Sequence, residues 1–132
     1  MSSKGRPYKT VVVDGFEVLV GRGDKENDAL TFRVADPRDL WLHVGGGTAG
    51  SHVVIRVPET TDEVPPEVIT RAAELAAWHS KARDAGKVEV HVCRVADVSK
   101  PRGLPPGKVH IANWWRVRVY PRRVEADPSD AG

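Results

Sequence analysis

Apolar residues recur with a period of two through most of this chain and with a period near 3.6 in a single long stretch. Residues 10–13 (TVVV) and 16–21 (FEVLVG) are β-rich and are separated by Asp14-Gly15, a two-residue turn signal that predicts an N-terminal hairpin. In residues 39–44 (DLWLHV), Leu40, Leu42 and Val44 alternate with Trp41 and His43. In the SHVVIRVP segment, Val53, Ile55 and Val57 alternate with His52, Val54 and Arg56. Each reads as a strand with one face buried more deeply than the other, and the glycine-rich GGGTAG loop joins them. Further on, Val88, Val90 and Val92 oppose Glu89, His91 and Cys93, and ANWWRVRVYP predicts a last strand. Between the last two strands, SKPRGLPPGK reads as a loop.

The helical period covers about residues 66–85, where Ile69, Ala73, Ala76 and Ser80, beside Ala72 and Leu75, form a stripe of small residues suited to lying close on a sheet. Thr61 or Asp62 is the expected cap and Gly86 the expected stop. Residues 21–36 suit a short helix from Lys25 capped by Asp24, or a strand through Leu30, Phe32 and Val34; Pro37 ends either. The order β-β-(short α)-β-β-α-β-β predicts an α+β fold. It is a single compact domain with a mixed or antiparallel β-sheet, one main helix and room for a second, short one. At 132 residues the chain has the length of one domain, expected over residues 10–123 with a flexible N-terminus at 1–9 and a polar tail at 124–132.

Composition narrows the class. Hydrophobic residues at 40% and charged residues at 29% describe a soluble globular protein. Cys93 is the lone cysteine, and the sequence carries neither a secretory start nor a long apolar run, so a cytoplasmic location without membrane contact is expected. Five histidines without ligand spacing, no complete phosphate loop and no dinucleotide fingerprint lead us to expect no cofactor, no metal and no catalytic residue.

Net charge is only +2, a weak argument for nucleic acid, but its distribution is uneven. Residues 57–80 carry −4, whereas residues 81–123 carry eleven basic against three acidic side chains, or +8. Arg116 and Arg118 share a strand face with Trp114, while Val117 and Val119 share the other with Trp115. If the valine face is core, Trp114 is the exposed stacking candidate; equally, the cations solvate an outer face while one tryptophan enters the core. Lys100 and Arg102 add charge from the proline-rich loop. A second concentration comprises Arg22, Asn27, Asp28, Asp39, Trp41, His43, Gly50, Ser51, His52 and Arg56, set around sharp turns. Its glycines can present backbone donors to a phosphate or serve only to reverse the chain. His43 and His52 suit donors to RNA better than an acid–base pair, because no nucleophile motif surrounds them. Asp28 and Asp39 either orient the basic groups or act as an ordinary cap and strand end.

GR followed by KENDALTF, then DLWLHV and GSHVVIR, resembles the NFACT-R RNA-binding domain of ribosome quality-control proteins, which also occurs as small stand-alone bacterial proteins. AAELAAWHSKAR, KVEVHVCRVADVSKPRG and PPGKV extend the likeness over about residues 10–121. The matching positions are the ten just named from Arg22 to Arg56; Gly23, Ala49 and His79 depart from the family pattern. The resemblance implies a non-catalytic RNA-binding module acting on transfer RNA or ribosomal RNA in translation or ribosome quality control, with the ribosome as a further partner. The alternatives are a small RNA-modifying enzyme or accessory subunit using His43 and His52, and a protein adapter that has lost RNA affinity.

Overall fold

The computed structural model describes residues 5–123; the expected polar tail at 124–132, and the first four residues of the expected flexible N-terminus, lie outside the described residues. Strands β1 (Tyr8–Val13) and β2 (Phe16–Gly21) form the expected hairpin, with ordered pairing already at Tyr8. Asp14 (φ 48°) and Gly15 (φ 85°) both take left-handed backbone, as a two-residue turn matched to strand twist requires. A short helix, α1 (Asp24–Ala29), continues into a π-helical turn at Leu30–Val34. The strand alternative for this segment therefore falls, and Asp24 is the first helical residue rather than a side-chain cap; Gly23 occupies the cap position.

Strands β3 (Leu40–Val44) and β4 (Val53–Ile55) precede the main helix α2 (Pro66–Trp78); β5 (Val88–Arg94), β6 (Val98–Ser99), β7 (His110–Ile111) and β8 (Trp115–Val119) follow. Six strands make one sheet in the order β1-β2-β4-β3-β5-β8, every pair antiparallel, while β6 and β7 form a separate two-stranded ribbon. The helix starts at Pro66 as expected, behind Pro65 rather than a Thr61 or Asp62 cap, but stops seven residues short of Ala85. Tertiary pairing overrides local propensity there. Ser51 N–H donates to His79 O at 3.0 Å and Lys81 N–H to Ala49 O at 2.8 Å, drawing the chain into a bridge between Gly50 and Ser80. A Cβ at Gly50 would lie 2.7 Å from the Ser80 Cβ, so this approach needs glycine.

The two faces of the sheet are closed differently. On one, Val18, Val20, Leu40, Leu42, Val53, Ile55, Val90 and Val92 pack beneath Val68, Ala72, Leu75 and Ala76 of α2, the small helix residues allowing close approach. On the other, Leu19, Trp41, Val54 and Cys93 pack against Leu30 of the π turn and against Val95 and Val98. The strand faces read from alternation are those observed.

Asp39 joins these layers. It is fully buried, and its carboxylate accepts from Val57 N–H and Asp36 N–H, both at 2.8 Å, with Arg56 Nε at 3.5 Å. Its backbone carbonyl accepts from Val95 N–H at 2.9 Å, so the β3 entrance, the β4 exit and the β5 exit meet at one residue. Replacing Asp39 by Ala strands one buried and one partly buried N–H donor and an arginine. We expect a loss of about 3 kcal/mol, read as a lower urea midpoint at unchanged m-value; a shift below about 0.5 kcal/mol would refute this role.

Candidate nucleic-acid interface

The central constellation divides by burial. Asn27, buried on α1, accepts from His52 N–H at 3.1 Å and donates to Gly50 O at 3.3 Å, which fixes the helix to the start of β4. Ser51 Oγ donates to Gly21 O at 2.8 Å. Asp28 accepts from Gly107 N–H at 3.2 Å and pairs with Lys100 Nζ at 3.0 Å. Lys100 also donates to Pro105 O and Lys108 O, each at 2.7 Å, so this lysine folds the proline-rich loop. Arg56 Nη1 donates to Val34 O at 2.8 Å, closing the π turn. Seven of the sequence-selected positions, Asn27, Asp28, Asp39, Ser51, His52, Arg56 and Lys100, are thus engaged in holding segments together.

His52 shows the chemistry. Burial, then the neighbouring His43, lowers its pKa to about 3, so the ring is neutral. Gly107 O can only accept, so Nε2 carries the proton and donates across 3.2 Å; Nδ1, left bare, accepts from the Thr31 hydroxyl at 3.0 Å. Both nitrogens are committed, which leaves none for acid–base work. Among the described residues, no group of three His, Cys, Asp or Glu could hold a metal ion. The thiol of Cys93, opposite Trp41 in the sheet, is pushed by burial up to about 12, which makes it a packing group.

What remains accessible lies toward β5 and β8. The β3–β5 and β5–β8 registers set His43, His91 and Arg116 in one row across the second face. His91 Nε2 donates to Glu89 at 2.9 Å, and the imidazole stacks on Trp114 at 4.2 Å between ring centres. That hydrogen bond, with Arg116 nearby, holds the Glu89 carboxyl below its usual range. The Arg116 guanidinium sits 5.9 Å from the Trp114 ring centre and 3.4 Å from Glu89. Trp114 and Trp115 are 41% and 43% exposed, so neither enters the core, as expected of residues at the margin of an edge strand. Arg118, Arg102 and Arg22 are exposed as well.

Beside this row opens a cleft of about 310 Å³ between the glycine loop and the turn at residues 106–109, lined among others by Trp41, His43, His91 and Lys108. The rings of Trp41 and His43 stack at 5.8 Å, and burial lowers the pKa of His43. Sequence reasoning missed His91, whose alternation was visible but whose strand partners were not. It also missed a cationic locus near the Gly50 bridge. There His79 is pushed to about 4, first by burial and then by Lys9, Arg83 and Arg123; Arg123 and Arg22 in turn lower Lys9, after burial.

An antiparallel sheet with a helix on one face, and an aromatic and arginine-rich margin on the other, defines the class: the chain belongs to the family described as the NFACT protein RNA binding domain, matched over residues 6–113. It is 37% identical over 123 residues to the Rqc2 homolog RqcH of Bacillus subtilis, covering 89% of this chain and 21% of that protein. With the Streptococcus suis Rqc2 homolog RqcH the identity is 40% over 119 residues, 88% of this chain and 20% of the relative. The chain therefore spans about a fifth of the length of these curated relatives. Among solved structures, the C-terminal part of the fibronectin/fibrinogen-binding protein from Streptococcus suis superposes with a TM-score of 0.79 at 37% identity, covering 92% of this chain and 47% of that one.

The buried histidines give a pH signature. Above pH 6.5 His52 is neutral folded or unfolded; below it the unfolded chain takes up a proton that the folded one refuses until about pH 3. Stability therefore falls as pH falls, by about 1.4 kcal/mol per pH unit from His52 alone. Urea midpoints at pH 7.5 and 5.5, above the carboxylate range, should show this, with a flatter dependence in His52→Gln. Equal midpoints at the two pH values would contradict the assignment.

Proposed function

We propose that this chain is a non-catalytic RNA-binding module of the translation or ribosome quality-control machinery, acting in the cytoplasm on transfer RNA or ribosomal RNA. The observation that carries the reading is the exposed margin of β5 and β8. There Trp114, stacked on His91 and still 41% exposed, stands beside Arg116, with Arg118 further along the same face of β8. Arginines in such a setting suit phosphates, and a half-exposed indole suits an unpaired base. Lys9, Arg83 and Arg123 about His79, with Arg22 near Lys9, provide a second positive locus. Family membership and the RqcH relatives support the same context. Among the described residues, no helix is long and apolar enough to cross a membrane. An RNA-modifying role for His43 and His52 finds no support in the committed nitrogens of His52.

Crosslinking in cells, followed by identification of the attached RNA and of the crosslinked residues, decides between transfer RNA, ribosomal RNA and neither. In purified form, affinity should fall steeply between 50 and 200 mM salt, and the Arg116→Ala, Arg118→Ala double variant should lower the log–log salt slope by about 1 to 2. Binding indifferent to salt, or a slope unchanged in the double variant, would count against this margin as the phosphate contact.

A further inference from the structure

Among the described residues, the indole Nε1 of Trp41 is the one buried side-chain polar atom without a hydrogen-bond partner. A buried N–H in that state responds to any group that enters beside it, and its ring stacks on that of His43 at the cleft. Trp41 lines the 310 Å³ cleft, at the small end of the roughly 300–1,000 Å³ range of ligand pockets, a size suited to a single ring system.

The lining selects the chemistry. Its walls combine the His43 and His91 rings, over the buried Trp41 and His52, with aliphatic groups such as Val109 and Ile111, and the charged groups on it, Asp24 and Lys108, are of opposite sign. His52 is uncharged and burial opposes charge on His43, so a phosphate would meet a carboxylate and no excess of positive charge. An uncharged heterocycle, by contrast, meets the His43 and His91 rings, an acceptor in Asp24 and a donor in Lys108. The loop backbone is built to lie against this wall. A Cβ at Gly45 would fall 2.5 Å from His91 Nε2, and Gly46 and Gly47 take left-handed φ of 71° and 74°.

We propose that this cleft receives one unstacked RNA base against the His43 and His91 rings, while Arg116 and Arg118 on the adjacent margin hold the neighbouring phosphates. The assignment rests on the RNA-binding reading above and deepens it: the glycine loop shapes a base site rather than a phosphate cradle.

The test is heteronuclear NMR of the full chain, following the Trp41 indole N–H. The ligands are AMP, CMP, GMP, UMP, ribose 5-phosphate and a single-stranded RNA octanucleotide of mixed sequence. At least one mononucleotide and the octanucleotide should move that resonance, and ribose 5-phosphate should not. Gly45→Ala, which displaces His91 and with it the Glu89–Arg116 pair, should weaken octanucleotide binding about tenfold. His43→Ala, which leaves the Arg116 margin in place, should weaken it to a similar extent with the salt slope unchanged, and covers the case in which Gly45→Ala disturbs the fold. Octanucleotide binding with the indole unmoved, or equal movement by ribose 5-phosphate, overturns the base site and leaves the RNA-binding reading standing. Absence of binding to any RNA overturns both.

Discussion

His52 is 1% exposed, and it ties together stretches of chain up to 55 residues apart: the π turn through Thr31, the proline-rich loop through Gly107 and α1 through the Asn27 side chain. The second face of the sheet has no long helix to cover it. Six residues of α1, a π turn and a two-stranded ribbon must do so, and none is long enough to be stable alone. Their attachment depends on polar groups buried with partners rather than on apolar area. That solution is sensitive, because a half-satisfied network is worse than an apolar one. It also requires the imidazole to be neutral, since a charged ring could not accept from Thr31 through Nδ1 while donating to Gly107.

This network explains which parts of the molecule were readable in the sequence. Alternation gave the correct faces of the central strands because a period of two survives any arrangement of partners. The Asp14-Gly15 hairpin followed from local backbone preference alone. The end of α2 did not, because it is set by Gly50, Ala49 and Ser51 reaching across from another part of the chain. The polar residues around the glycine turns were conspicuous for the same reason that they are misleading as surface candidates. Side chains able to bind phosphate are also those able to satisfy buried backbone, and composition does not distinguish the two uses. His91 beside Trp114 required knowing that β8 pairs with β5, a register that no local pattern encodes.

The segment charge needs the same correction. The +8 of residues 81–123 is not a free field. Lys100 is held by Asp28 and two carbonyls, Arg94 Nη1 donates to Arg38 O at 2.6 Å, and Arg83 Nε donates to Trp78 O at 2.7 Å while its guanidinium lies over the Trp78 ring. Donation to a carbonyl leaves a guanidinium positive, so charge persists where hydrogen-bonding capacity is spent. Arg116 is different, since Glu89 offsets part of its charge and fixes its position over Trp114.

That pairing bears on how the margin and the cleft work together. His91 donates to Glu89, Glu89 attracts Arg116, and Trp114 lies against both the imidazole and the guanidinium. The same His91 contributes to the cleft lining, where it meets the backbone of Gly45. One imidazole therefore has a surface role and a cleft role, and a shift in its ring would be felt in both. Arg116 and Arg118 project from one face of β8 about 6.8 Å apart, two residues of extended strand. Charge repeated at that interval favours an extended backbone lying along the strand, while the lining beside it favours a flat uncharged group. The division of chemistry, charge along the edge and rings in the hollow, matches the division between phosphate and base within a single nucleotide strand.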